Sequence, residues 1–302
     1  MFSRQVMREK IKEQLPQWYK SNEDYGLILT DDIDSLLSCA IIQTTHPNWK
    51  IEQIMIFKGN KKRYDRGDDA LLKDFLGVTG NATHKECIGV DLALSNGKCF
   101  DNHLSRISST DDINNEAINF NLVHGITKDN YFKKYCSSTV LLVWSLYDLP
   151  KEELSDELMM VLLAIDGTYT GQFNCNGKYA YLTRKCLVED LDLPEFYECL
   201  KRHTREEFEE IKSKYNLDAK VKLHRGYIET DINIEAINEV LAQYTNVHIE
   251  VPKDKFRLHK TFADVFTPFS DLVRSTKEIV GNPYCLALTR KNYMNYSVEI
   301  AN

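Results

Sequence analysis

Eight cysteines are spread over 302 residues without one CxxC pair. That speaks against a zinc ribbon and against a disulfide framework. Several of the thiols lie inside apolar runs, as reduced, buried cysteines do. No apolar stretch reaches the ~20 residues of a membrane-spanning helix. The opening MFSRQVMREKIKEQLPQW mixes charges and lacks the apolar centre of a signal peptide. A cytoplasmic protein with no membrane association is therefore expected. Nor is there an excess of positive charge: 38 Lys and Arg face 45 Asp and Glu, for a net charge of -7 and a pI of about 5.7. Proteins that grip long duplex nucleic acid through its backbone carry a basic surface. Long duplex DNA is thus not the expected partner, whereas a short nucleic acid or a nucleotide ligand held by a local patch is compatible. Gly-Gly pairs, internal repeats and low-complexity tracts are also lacking.

What is present is a core-forming composition, 43% hydrophobic, on a chain long enough for one large or two medium domains. Residues 4–20 have the pattern of an amphipathic helix. YGLILT, IEQIMIF, ECIGVDLAL and GKCFDNHL are short apolar runs that read as strands. SLLSCAIIQTTH, ALLKDFLGV, CSSTVLLVWSLYDL and SDELMMVLLAIDGTY read as helices, and KGNKKRYDRGDD as a loop with Tyr64 able to stack on a base. Strands alternating with helices predict an α/β fold with a parallel sheet. After about residue 185 the chain becomes strongly charged and helical, then ends in strand-like VHIEVP, YCLALTRKNY and NYSVEI. The expected division is an α/β domain over 1–190, a helical linker region over 191–245 and a small C-terminal α+β domain over 246–302.

Acids recur at the ends of the apolar runs. Asp32 and Asp34 follow the first, Asp91 follows another, Asp101 and His103 a third, and Asp166 closes a long apolar helix. Each taken singly reads as a helix cap or a turn. Taken together, at the carboxyl ends of adjacent parallel strands, they would converge. Clustered carboxylates repel one another, and divalent cations relieve that repulsion. Oxygen donors with an imidazole suit Mn²⁺ or Mg²⁺, one or two ions, which can activate water and brace a phosphoryl group.

The ordered set resembles the motifs of the DHH phosphoesterase superfamily. DDIDSLLSCA resembles its first motif, GVDLAL its second, FDNHLS the third, CSSTVLLVWSLYDL the helix that follows, and LLAIDGTYTG the fourth. The resemblance covers roughly residues 24–175. It implies metal ligands at Asp32, Asp34, Asp91 and Asp166. It places His103 beside the scissile phosphate, with Asp101 orienting its neighbours. Two departures stand out. Asn102 replaces the histidine that ligates metal in the family, so a neutral amide oxygen would have to serve. Thr30 stands where the RecJ-like members carry an acid before the first pair, with Asp31 adjacent.

The activity the resemblance implies is a metal-dependent phosphodiesterase or exonuclease-like hydrolase acting on short oligonucleotides or nucleotide-type phosphodiesters. The alternative is an impaired family scaffold that binds a nucleotide or a protein partner, and a homodimer remains open. Pyrophosphatase-like hydrolysis is disfavoured by the lost histidine. Arg290 and Lys291 could meet a phosphate or form a surface turn, and Arg106 could line the cleft or the surface. The other histidines show no metal-ligand spacing.

Overall fold

The computed structural model describes residues 11–57, 71–79 and 85–300. Most of the expected N-terminal helix and the loop carrying Tyr64 lie outside the described residues. Its strands are β1 (Gly26–Leu29), β2 (Lys50–Ile56), β3 (Leu71–Thr79), β4 (Cys87–Val90), β5 (Cys99–Phe100), β6 (Ala117–Ile118), β7 (Val221–His224), β8 (Tyr227–Thr230), β9 (Arg257–Pro268), β10 (Cys285–Arg290) and β11 (Tyr293–Ile300). Six helices of eight or more residues are described: α1 (Ile33–Thr45), α2 (Thr139–Leu146), α3 (Asp156–Ala164), α4 (Pro194–Arg202), α5 (Arg205–Tyr215) and α6 (Ile234–Leu241).

Nine strands form one sheet in the order β10-β11-β9-β3-β2-β1-β4-β5-β6. From β2 to β6 all neighbours are parallel, which gives the expected α/β architecture. From β2 through β3 and β9 to β10 they are antiparallel. The strands β1 (GLIL) and β4 are nearly pure apolar runs, as strands covered on both faces must be. Gly26 lets β1 approach its neighbours: a Cβ there would lie 2.7 Å from Cys87 Sγ and 2.9 Å from Glu52 Cγ. The core gathers around β1, α1, α2 and α3, with Trp49 and Trp144 fully buried.

Two local expectations fail. ALLKDFLGV is not helical. Its residues 71–78 belong to β3, which pairs with β2 on one side and β9 on the other. Over nine residues, apolar spacing does not separate helix from strand, and hydrogen bonding on both edges decides. VHIEVP is not a strand either. The Asn238 side chain pairs with both backbone groups of Ile249, donating to its carbonyl at 3.0 Å and accepting from its N–H at 2.8 Å. A side-chain amide thus takes the place of a partner strand.

The strands β9, β10 and β11 pair as an antiparallel portion beside the parallel strands, in the same sheet as β1. In the expected linker region, α4 and α5 pack against α3, and β7 with β8 makes a separate two-stranded hairpin. Among the described residues no helix is long and apolar enough to cross a membrane.

Candidate metal centre

Five strands run the same way, so their carboxyl ends share one rim. The chain leaves β1 into Thr30-Asp31-Asp32, β4 into Asp91, and β5 into Asp101-Asn102-His103. After β1 the chain turns to β2 on one side, whereas β4 lies on the other. The loops therefore part between β1 and β4, at the crevice where open α/β sheets hold ligands. Ser35 ties the two loops together. Its hydroxyl donates to the Val90 carbonyl at 2.8 Å and accepts from the Thr30 N–H at 2.8 Å.

Each acid has a defined local job. Asp32 is the N-cap of α1 and accepts from the Ser35 N–H at 3.4 Å. Asp34 caps a different helix. Its two oxygens accept from Thr139 N–H at 2.9 Å and Val140 N–H at 2.6 Å, in the first turn of α2. Asp91 accepts from the Thr139 hydroxyl at 2.8 Å. Asp166 accepts from the Asn102 amide at 2.9 Å, and the same NH2 donates to the Ser137 carbonyl at 3.1 Å. Both partners of that nitrogen are acceptors, which fixes which way the amide faces. Asn102 therefore meets Asp166 as a donor. Asp91 and Asp166 both take left-handed backbone, with φ of 55° and 51°. Such strain is of order 1 kcal/mol or more and collects at functional sites.

His103 is held from behind. Its Nδ1 lies 2.7 Å from Asp101 Oδ1, and Asn119 donates to Asp101 Oδ2 at 2.6 Å and to the His103 carbonyl at 2.7 Å. The ligand atoms of Asp91, Asp101 and His103 all lie within 4.8 Å of one another. With Nδ1 engaged, Nε2 is the nitrogen left to face a ligand. Thr30, Asp31, Asp32, Asp91 and His103 line a cavity of about 330 Å³, together with Phe57, Lys220, Asn295 and Tyr296.

The acids are held against their ordinary charge. Burial pushes the Asp34 carboxyl well above the usual range, and the neighbouring charges of Asp91, Asp166 and Asp32 push it further. Burial and then Asp32 raise Asp91 to about 8, with Asp166 adding and His103 opposing. Asp166 is raised by burial, against the pull of His103. For His103 burial works downward, but Asp101, Asp91 and Asp166 outweigh it and raise the imidazole to about 10.

Only protons or a cation can relieve such a cluster. Oxygen donors suit Mn²⁺ or Mg²⁺, and each carboxylate keeps lone pairs beyond the donor it already accepts. The buried hydroxyl of Thr30, on the cavity wall, has no hydrogen-bond partner. The residues therefore fit a divalent cation.

The candidates Thr30, Asp32, Asp34, Asp91, Asp101, Asn102, His103 and Asp166 gather at one rim, where among the described residues only Asp91, Asp101 and His103 place ligand atoms within 4.8 Å of one another. The basic candidates do not. Arg106 turns onto its own loop and donates to the Ser109 carbonyl at 2.6 Å. Arg290 and Lys291 are exposed at the β10–β11 turn, where Arg290 lies 5.6 Å over the Tyr293 ring. Sequence reasoning missed Asn119, Thr139 as a partner of Asp91, and Lys220, which bridges Asp31 and Asp32 at 3.2 and 3.1 Å. Thr139 was legible within CSSTVLL, whereas Lys220 carries no local signal. A second group, Asp156, Cys199 and His203, also has ligand atoms within 4.8 Å. There Asp156 is already bound by Arg202 and His203.

No family model, curated protein or solved structure matches the chain.

Proposed function

We propose that this protein is a metal-dependent phosphodiesterase acting on short oligonucleotides or nucleotide-type phosphodiesters, in the manner of the DHH phosphoesterases its motifs resemble. One observation carries the reading. Four acids from three distant segments, Asp32, Asp34, Asp91 and Asp166, lie near enough to influence one another at the carboxyl rim of a parallel sheet, where Asp32, Asp91 and His103 line a cavity. Asp32, Asp34, Asp91 and Asp166 are the residues that would hold Mn²⁺ or Mg²⁺. When bound, such an ion lowers the pKa of water and neutralises phosphoryl charge. In the metal-free chain Asp101, Asp91 and Asp166 outweigh burial and raise His103, which favours a proton on Nε2 that could be donated toward a phosphoryl or leaving oxygen. Asp101 and Asn119 keep its ring oriented. The cavity suits a small ligand. Phe57 and Tyr296 offer aromatic surface for a base, and the buried Asn295 side-chain oxygen has no partner of its own.

A second reading, a scaffold that binds such a ligand without cleaving it, is favoured by Asn102, whose NH2 already serves Asp166. Short oligonucleotides and cyclic dinucleotides incubated with the protein and Mn²⁺ separate the two. Mononucleotide release that is lost in Asp91→Asn supports the enzyme. Saturable binding with no product supports the scaffold.

A further inference from the structure

We propose that the ammonium of Lys220 is a built-in cation of this centre, filling the position of one of two metal ions, so that the protein binds a single divalent cation. The inference rests on the metal-centre reading above and adds the stoichiometry and the residue that sets it.

The loop after β1 presents two adjacent carboxylates, Asp31 and Asp32, to the cavity. Lys220 Nζ lies 3.2 Å from Asp31 Oδ1 and 3.1 Å from Asp32 Oδ2. This is not a stray surface pair. The backbone N–H of Val221, the next residue, donates to the Asp31 carbonyl at 2.8 Å, and Val221 is fully buried. That hydrogen bond docks the start of β7 on the acidic loop and sets where the ammonium sits. Lys222, two residues on, turns away to Asp231. Lys220 lines the same cavity as Asp91 and His103, so its charge belongs to the centre and not only to the loop.

One ammonium shared between two carboxylates is well served, while each carboxylate is only half served. A divalent cation seated on Asp31 and Asp32 would lie within a few ångströms of that ammonium and be repelled by twice the force of a monovalent one. The inner acids Asp34, Asp91 and Asp166 are different. Their hydrogen-bond donors are backbone N–H groups, a hydroxyl and an amide, all neutral. That is where a cation is still required, so this inference moves Asp32 from the ligand set proposed above to the ammonium of Lys220. A phosphoryl group in the cavity would then lie between one metal ion and one ammonium, with lysine acting as a compact point charge.

Calorimetric titration with Mn²⁺, read alongside electron paramagnetic resonance, tests this on the full chain. The wild type should take up one equivalent and show the spectrum of an isolated ion. Lys220→Met should take up two and show a spin-coupled pair. Lys220→Arg, which keeps the charge, should remain at one. The Lys220 side chain is 51% exposed, so methionine can be accommodated. Two equivalents in the wild type, or one in Lys220→Met, would overturn the inference and leave the metal-centre reading standing. No uptake by any of the three would overturn that reading and this inference with it. Two equivalents in the wild type would overturn the inference even if a variant failed to fold, and Lys220→Gln offers a second charge-removing variant that should likewise take up two.

Discussion

Two groups of acids stand at the same rim and are neutralised differently. Asp31 and Asp32, on the loop after β1, share the ammonium of Lys220. Asp34, Asp91 and Asp166, deeper in, have neutral partners and the influence of His103. The outer pair therefore has a formal countercharge, although Asp31 is itself buried, while the inner group is left with its burial and its mutual repulsion. On the proposed reading a cation would bind where the chain has supplied donors but little countercharge. Buried acids kept in that state cost stability, and their cost is the usual mark of a site built for something else.

The largest effect expected is on hydrolysis. Asp91→Asn should lower Mn²⁺-dependent cleavage of a short oligonucleotide at least 100-fold, measured as initial rate, while the fold is retained because Thr139 can still donate to the new amide. A next and structural contrast separates Asp34 from Asp32. Asp34→Ala leaves two N–H groups of α2 without acceptors and should cost roughly 3 kcal/mol in urea unfolding. Asp32→Ala loses one long cap of α1 and should cost about 1 kcal/mol. Equal losses would erase the distinction between inner and outer acids.

The pH dependence sharpens the same contrast. Asp91 is raised from its ordinary value to about 8, so between roughly pH 4 and pH 8 the folded chain holds a proton that the unfolded chain has released. Stability of the metal-free protein should therefore fall as pH rises through that window. His103, raised to about 10, acts in the same direction between roughly pH 6.5 and pH 10. Mn²⁺ should restore more stability at pH 8 than at pH 5, because protons compete for the same oxygens. Thermal melts with and without Mn²⁺ across that range give the answer. The smallest effect belongs to Arg290→Ala. Its guanidinium lies over Tyr293 on an exposed turn, so stability should move by less than about 0.5 kcal/mol and cleavage by less than about twofold.

Much of this centre was legible because its residues follow short apolar runs, and the parallel sheet brings the ends of such runs together. Asp32, Asp91 and Asp101 could be located on that ground alone. What Asp34 does could not: it lies on α1 and caps α2, a contact spanning 105 residues. Lys220 was beyond reach for the same reason, since 189 residues separate it from Asp31 and nothing in its neighbourhood distinguishes it from other lysines. The strand at 71–79 was misread because its identity depends on β9, nearly two hundred residues later in the chain. YCLALTRKNY and NYSVEI were recognisable as strands from composition, but that they extend the first sheet is a property of pairing and not of pattern.

The most direct test is calorimetric titration of Mn²⁺ into the wild type and into Asp91→Asn under one buffer and pH. The expected result is saturable binding by the wild type and its loss in a folded Asp91→Asn protein. Absence of binding to the wild type, or binding to Asp91→Asn of undiminished affinity, would contradict a metal centre built on the inner acids.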